Sequence, residues 1–278
     1  MKKVIALALM AAMVVSMTAC GNKAADQETT QATSEAAEAT TEVSEATTAA
    51  NTETTEAATN GTLVMATNAE FPPYEFRDGD KIVGIDAEIA QAIADELGME
   101  LQIEDMQFDS IIAAVQSGKA DMGVAGMTII EDRLATVNFS TPYTQAAQVI
   151  IVKEDSPVAS PDDLKGKTIG VQLGTTGDIY AEDIEDATLD RYNKGFEAVQ
   201  ALLQDKVEAV IIDREPAKVF VEENEGLKIL DEEFTVEDYA ICMAKDNTEL
   251  LDKVNAALAK LEESGKIEEI KAKYITAE

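Results

Sequence analysis

The chain has 278 residues, and its 54 Asp and Glu residues outnumber its 22 Lys and Arg residues, which gives a formal net charge of −32. Phosphate backbones and anionic lipid headgroups repel such a surface, so we expect no nucleic-acid partner. The sequence contains no histidine, which excludes Ser-His-Asp and Cys-His catalytic groups and all histidine-ligated metal sites. We expect neither a bound metal nor another cofactor.

The first twenty residues have the pattern of a secretory signal. Lys2 and Lys3 precede an apolar run at 4–15, which is too short for a membrane-spanning helix of about 20 residues. Small residues then lead to Cys20. The segment is similar to bacterial lipoprotein signals, in which this cysteine is lipidated, so we predict a signal peptide at 1–20 and lipidation of Cys20. The alternative is an ordinary secretory signal with a chance cysteine.

Residues 21–60 differ in composition from the rest of the chain. They are almost entirely Ala, Thr, Glu, Ser and Gln, without an aromatic side chain. Such a segment buries too little apolar surface to offset the entropy lost on ordering. We predict a disordered acidic tether that holds the following domain near the membrane but clear of it. A glycosylated stalk is the alternative.

From Gly61 onward, strand-like and helix-like segments alternate. Apolar residues at positions 85, 89, 93 and 97 predict the first helix, and Gly98 is placed to end it. The alternation predicts an α/β fold with mainly parallel sheets, in two lobes rather than one. In chain order, the predicted segments are strands at 62–67, 99–104 and 122–125 with helices at 86–97 and 109–115, strands at 167–172, 188–192 and 207–212 with helices at 175–184, 195–204 and 215–223, and two final helices at 247–263 and 264–274.

Side chains that could bind a ligand lie at the carboxyl ends of the predicted strands, where ligands bind in open α/β sheets. Together they supply a cation, an anion, free N–H groups at a helix start and aromatic rings. This set complements a zwitterion. Arginine can make two parallel hydrogen bonds to a carboxylate, and aspartate can accept a hydrogen bond from an ammonium group. The candidates are Asn68, Glu70 and Phe71 after one strand, Gly126, Met127, Thr128 and Arg133 after another, Gln172, Thr175 and Thr176 around a third, Asp213 after a fourth, and Phe108.

Taken singly, these residues have simpler interpretations. Arg133 could be a solvated surface charge, and the glycine-flanked threonines at 174–177 could form a plain tight turn. The two phenylalanines could belong to the core, and Asp213 could cap the helix that follows it. Cys242 lies in an apolar, strand-like run, and we interpret it as a small buried hydrophobe rather than a reactive thiol.

Longer motifs carry more information than the single residues. They are Asn68-Ala-Glu-Phe71-Pro-Pro-Tyr-Glu-Phe76, Gly84-Ile-Asp86, Phe108-Asp-Ser-Ile-Ile, Gly126-Met-Thr128-Ile-Ile-Glu-Asp-Arg133, Phe139-Ser-Thr-Pro-Tyr143, Gly170-Val-Gln172-Leu-Gly-Thr-Thr-Gly177 and Ile212-Asp213. In combination they resemble the family 3 extracellular solute-binding proteins, the amino-acid receptors of ABC importers, over about residues 61–275. The resemblance implies a type II periplasmic-binding-protein-like fold, whose two lobes are joined by hinge strands near 148–152 and 240–245. One lobe would hold residues 61–148 and 243–278, and the other residues 149–242.

The same resemblance implies a role for each candidate residue. Phe71 and Phe108 would stack on the ligand, and Arg133 would bind its α-carboxylate with help from the backbone at Thr128 and Thr176. Asp213 would bind the α-ammonium, helped by the Gly126 carbonyl and the Thr128 hydroxyl. The residues expected to face the ligand side chain are Asn68, Glu70, Met127, Gln172 and Thr175.

Two positions bear on the identity of the ligand. Many relatives that prefer basic ligands have an acid where this chain has Asn68, although Glu70 could substitute for it. Gln172 favours a polar side chain. We therefore expect a polar neutral amino acid as ligand, with a basic one as the second choice.

We expect a monomer that binds a free L-amino acid, docks on ABC permease subunits and contacts the membrane through its lipid anchor only. Two other functions remain open. The domain could be an amino-acid sensor without transport, or a dehydratase-type enzyme on the same fold, for which Glu70 is the obvious general acid.

The lipid anchor makes the first testable prediction. Cys20→Ala should move the protein from the membrane fraction to the soluble fraction, because the thiol that accepts the lipid is gone. Cys242→Ala is the matched control and should leave partitioning unchanged. Retention of the Cys20→Ala protein in a detergent-extractable membrane fraction would contradict the prediction.

Overall fold

A computed structural model describes residues 61–275, so the predicted signal peptide, tether and Cys20 lie outside the described residues. Within 61–275 the chain forms fourteen strands. They are β1 (Thr62–Thr67), β2 (Glu70–Phe71), β3 (Glu75–Asp78), β4 (Lys81–Val83), β5 (Glu100–Asp105), β6 (Met122–Gly123), β7 (Val137–Phe139), β8 (Thr144–Lys153), β9 (Thr168–Gln172), β10 (Thr188–Tyr192), β11 (Ala209–Asp213), β12 (Leu227–Ile229), β13 (Thr235–Tyr239) and β14 (Cys242–Ala244).

Eight α-helices alternate with these strands over the same residues. The first ends at Gly98, whose φ of 64° is the left-handed conformation that glycine adopts at low cost, as the sequence predicted. The helices are α1 (Ile85–Leu97), α2 (Ile111–Gln116), α3 (Glu131–Leu134), α4 (Thr176–Ala181), α5 (Gly195–Leu203), α6 (Arg214–Glu223), α7 (Thr248–Glu263) and α8 (Lys266–Tyr274). Short 3₁₀ turns occupy Phe108–Ser110 and Pro161–Leu164.

The sheet of the first lobe contains five strands in the order β5-β1-β6-β14-β7. β1 pairs in parallel with β5 and β6, whereas β14 is antiparallel to β6 and β7. β14 comes from the end of the described chain, and α7 and α8 that follow it pack on α1. The first lobe is therefore assembled from two separate stretches of sequence.

The sheet of the second lobe has the order β10-β9-β11-β8-β12, with β13 also paired to β8. β9 is parallel to β10 and β11, while β8 is antiparallel to β11, β12 and β13. Both sheets are therefore mixed. The parallel pairs arise where a helix crosses over between strands, and the antiparallel pairs arise where strands enter or return without such a crossover.

Two chain segments connect the sheets. The first runs between β7 and β8, and the second between β13 and β14. β8 and β13 pair antiparallel from Thr144 opposite Tyr239 to Gln148 opposite Thr235, so the two connections lie side by side. Such paired connections are suited to a hinge between lobes. Residues 148–151, in the segment where the sequence placed one hinge strand, pair with β11 in the second sheet.

The core supports both sheets with fully buried apolar side chains. Leu63 and Met65 on β1 and Ile89 and Ile93 on α1 are 0% exposed. Cys242 is buried in β14, and burial raises the pKa of its thiol to about 12, which confirms its interpretation as a small hydrophobe. No helix between Gly61 and Ile275 is long and apolar enough to cross a bilayer.

Candidate functional site

A small cavity lies between the two lobes. Asn68 directly follows β1, while Gln172 and Asp213 are the last residues of β9 and β11. The cavity thus sits at the carboxyl ends of strands from both sheets, the usual place for a ligand. The lining residues are Asn68, Phe71, Glu75, Phe108, Ala125, Gly126, Thr128, Arg133, Gln172, Thr175, Thr176 and Asp213.

Arg133 supplies the positive charge among the lining residues. It lies in α3, is only 6% exposed, and its guanidinium carbon lies 5.4 Å from the centre of the Phe108 ring. Its Nη1 donates to the Thr128 carbonyl at 2.8 Å, and its Nη2 donates to the Gly174 carbonyl of the other lobe at 3.0 Å. Burial lowers its pKa, but arginine stays charged because its ordinary pKa lies above 12. The remaining N–H groups of its five can bind an anion.

Asp213 supplies a carboxylate on the second lobe. It is 5% exposed and accepts a hydrogen bond from the hydroxyl of Tyr239. Burial, together with the nearby charge of Glu237, raises the pKa of Asp213 to about 7. A cation placed beside Asp213 would favour its ionised form. Arg133 was also interpreted above as a possible solvated surface charge, and its burial argues against that interpretation.

Gly126 is held in place by a buried carboxylate that the sequence did not mark as part of the site. Its N–H donates to Asp86 at 2.7 Å, and the hydroxyl of Tyr143 donates to the same carboxylate at 2.8 Å. Gly126 has a φ of +53°, and a Cβ there would lie 3.0 Å from the ring of Phe71. Both the conformation and the close approach of the ring require glycine.

Amide side chains of the two lobes bond to each other inside the cavity. Gln172 Nε2 donates to Asn68 Oδ1 at 2.9 Å, and Asn68 Nδ2 donates to the Met106 carbonyl at 2.9 Å. Thr175 caps α4, because its hydroxyl accepts from the N–H of Asp178 at 3.3 Å. Asn68, Gln172 and Thr175 were predicted to face the ligand side chain. Much of their hydrogen-bonding capacity is already used by partners within the protein.

Two buried glutamates near the cavity have carboxyl oxygens without hydrogen-bond partners among the described residues. Glu75 is 0% exposed, and neither of its carboxyl oxygens accepts a hydrogen bond from an N–H or O–H group of the described residues. Glu237 Oε2 accepts from Thr128 at 3.1 Å and from Gln148 at 3.0 Å, but Oε1 has no partner among those residues. Buried polar atoms are normally satisfied, so these oxygens mark places where a ligand could contribute donors.

Two residues predicted to face the ligand do not line the cavity. Glu70 pairs instead with Lys194 of the second lobe, at 2.6 Å between Oε1 and Nζ. Met127 is fully buried in the core of the first lobe. Both corrections have the same cause, because neighbouring residues of an extended chain point to opposite sides. Phe71 and Thr128 take the cavity side, which turns Glu70 and Met127 away.

The sequence carried a signal for some of the residues that were missed. Glu75 stands between two aromatic residues, and Gln148 interrupts an apolar run on β8. A polar residue inside an otherwise buried segment indicates a functional or paired group. Glu237 gave no such signal, because it lies in an acidic segment where a solvated side chain was the simpler expectation.

A sequence profile described as "Bacterial extracellular solute-binding proteins, family 3" matches residues 63–277. The chain belongs to this family. The Arginine-binding extracellular protein ArtP of Bacillus subtilis is 38% identical to this solute-binding protein over 223 residues, which cover 78% of this chain and 87% of ArtP. The predicted family is thereby confirmed.

Solved structures resemble this solute-binding protein over its described domain. "An ancestral arginine-binding protein bound to arginine" superposes with a TM-score of 0.75 at 41% identity, covering 78% of this chain and 99% of that one. "An ancestral arginine-binding protein bound to glutamine" gives a TM-score of 0.73 at 40% identity, with coverages of 78% and 99%. These matches confirm the predicted two-lobed α/β fold class.

The Glu70–Lys194 ion pair makes a prediction about ligand release. The pair joins the two lobes and each side chain is about 30% exposed, so it should stabilise the closed form by about 0.2–1 kcal/mol. Glu70→Gln should therefore speed ligand release by roughly 1.4- to 5-fold in stopped-flow measurements. High salt should reduce this difference.

The control for this pair is Glu185→Gln, which breaks the Lys165–Glu185 pair within the second lobe and should leave the release rate unchanged. Exchanging the charges in Glu70→Lys with Lys194→Glu should restore slow release. Equal release rates for the wild type and Glu70→Gln would show that the ion pair does not hold the lobes together.

Proposed function

We propose that this solute-binding protein captures a free basic L-amino acid outside the cell membrane and delivers it to the permease of an ABC importer. It acts as a monomer tethered through lipidated Cys20. The relative ArtP is described as arginine-binding, and an ancestral protein with arginine bound shares the fold. The charges around the cavity of this chain support the same class of ligand.

An excess of buried carboxyl groups carries the proposal. Asp213 and Glu75 line the cavity, with Glu237 and Asp86 close behind, and Arg133 is the one cationic side chain among the lining residues. The carboxylate and ammonium of a neutral amino acid would match Arg133 and Asp213 but leave the glutamates unpaired. A cationic side chain would supply the missing charge and donors, which removes a cost of burying these groups.

This proposal reverses the order of preference drawn from the sequence alone. In the sequence analysis, Asn68 and Gln172 favoured a polar neutral ligand. In the structure their side-chain amides form a hydrogen bond to each other across the lobes. Glu70, named as the possible substitute acid, is paired with Lys194. The acid that lines the cavity is Glu75.

The arrangement favours binding over catalysis. Glu70 was the candidate general acid of a dehydratase, and it lies outside the set of lining residues. Ligand contacts from both lobes would instead stabilise the closed form, because a ligand shifts a conformational equilibrium only by binding one state better than the other. Closure is the signal by which a permease could distinguish loaded from empty protein.

Thermal unfolding with each of the twenty amino acids tests the proposed ligand class. Arginine or lysine at a thousand times its dissociation constant should stabilise the protein by about 4 kcal/mol, or on the order of 10 °C in Tm for a domain of this size. An external dye should be used because the chain has no tryptophan. A larger shift with glutamine than with arginine and lysine would contradict the basic-ligand proposal.

Arg133→Ala tests the proposed carboxylate contact. The variant should lose about 2–5 kcal/mol of binding free energy, because the ligand carboxylate would be buried without its partner. Calorimetry should therefore record a dissociation constant raised by roughly 30-fold or more. Arg77→Ala, which removes an exposed arginine paired with Asp105, is the control and should bind normally. An unchanged affinity in Arg133→Ala would reject the assignment.

A further inference from the structure

Glu75 is buried in a setting where an ionised carboxylate has no protein partner. It begins β3 beside Tyr74, and no N–H or O–H of residues 61–275 donates to either of its oxygens. Its carboxyl lies beside the carboxyl of Asp86. Two carboxylates cannot bond to each other unless a proton lies between them.

The proton belongs on Glu75 rather than on Asp86. The Asp86 carboxylate already accepts from the N–H of Gly126 and from the hydroxyl of Tyr143, which favours its ionised form. Burial raises the pKa of Asp86, and the interactions with Gly126, Tyr143 and Glu75 hold it to about 6. Burial and the charge of Asp86 raise the pKa of Glu75 well above its ordinary value.

The other titratable groups around Glu75 act in the same direction. Asp213 across the cavity and Asp105 both disfavour a negative charge on Glu75. The hydroxyls of Tyr74 and Tyr143 lie close by, and their pKa values are raised, so both stay neutral. These contacts together favour a neutral Glu75 that donates to an ionised Asp86 when no ligand is bound.

We propose that Glu75 exchanges its proton for the positive charge of the ligand side chain. The carboxyl group lines the cavity and is fully buried, so a guanidinium or ammonium group entering beside it would supply the donors that both oxygens lack. The O–H bond of Glu75 breaks, its electron pair stays on the carboxylate, and the proton passes to the buffer. This inference rests on the proposed function, since it needs a cationic ligand at the same site.

Proton release then distinguishes ligand classes. Any amino acid would place its ammonium beside Asp213, whose pKa of about 7 in the empty site leaves part of that group protonated at neutral pH. That release is common to all ligands. Only a ligand with a cationic side chain would also release the proton of Glu75. The number of protons released on binding arginine, minus the number released on binding glutamine, therefore measures the contribution of Glu75.

Isothermal titration at pH 7 in phosphate and in Tris measures this difference, because the dependence of the observed enthalpy on the buffer's ionisation enthalpy counts the protons released. Arginine should release about one proton more than glutamine. The arginine affinity should also rise with pH more steeply than the glutamine affinity, since a group whose pKa falls on binding favours the complex at higher pH. Equal proton release for the two ligands would overturn the inference.

Glu75→Gln is the decisive variant. Its amide can still donate to Asp86, so the variant mimics the protonated residue and should fold normally, which urea unfolding would check. It should bind arginine at least 10-fold more weakly, keep its glutamine affinity and lose the extra proton. Glu100→Gln, at an exposed position on β5, is the control and should behave like the wild type.

The outcomes separate this inference from the proposed function. Tight arginine binding without extra proton release would leave the function standing and reject the exchange at Glu75. Extra release that persists in Glu75→Gln would place the proton on another group and would also reject it. Failure of arginine and lysine to bind at all would remove the proposed function itself.

Discussion

Opposite charges buried on separate lobes are the constraint on which the rest of the molecule depends. Arg133 belongs to the first lobe and Asp213 to the second, and both are almost fully buried. Burial of a charge is unfavourable unless a partner compensates it. On the proposed assignment, an amino acid carries both partners at a spacing set by its own α-carbon, so its binding would join the lobes by satisfying both residues at once.

The fold supplies weaker contacts between the lobes that do not need a ligand. Arg133 bonds to the Gly174 carbonyl, Gln172 bonds to Asn68, and Lys194 pairs with Glu70. These contacts lower the free energy of the closed form without making it specific. We propose that specificity comes instead from the polar atoms that have no donor within the protein, chiefly the oxygens of Glu75.

The sequence predicted much of the fold, because the βα rhythm and the glycine at the end of α1 are local signals. It also predicted residues at strand ends, such as Asn68, Gln172 and Asp213, since strand ends converge in an α/β sheet. It could not predict which side of β2 faces the cavity, which depends on how that strand packs. The sequence also could not predict that Glu75 lies beside Asp86, because this depends on how β3 and α1 pack in three dimensions.

A crystal structure of the protein with bound arginine tests the central claim most directly. The account predicts one ligand molecule that touches both lobes, with its α-carboxylate about 2.8 Å from the Arg133 guanidinium and its α-ammonium at a similar distance from Asp213. Its guanidinium should lie against Glu75. A ligand held by one lobe alone, with Arg133 or Asp213 left without a ligand contact, would contradict the claim.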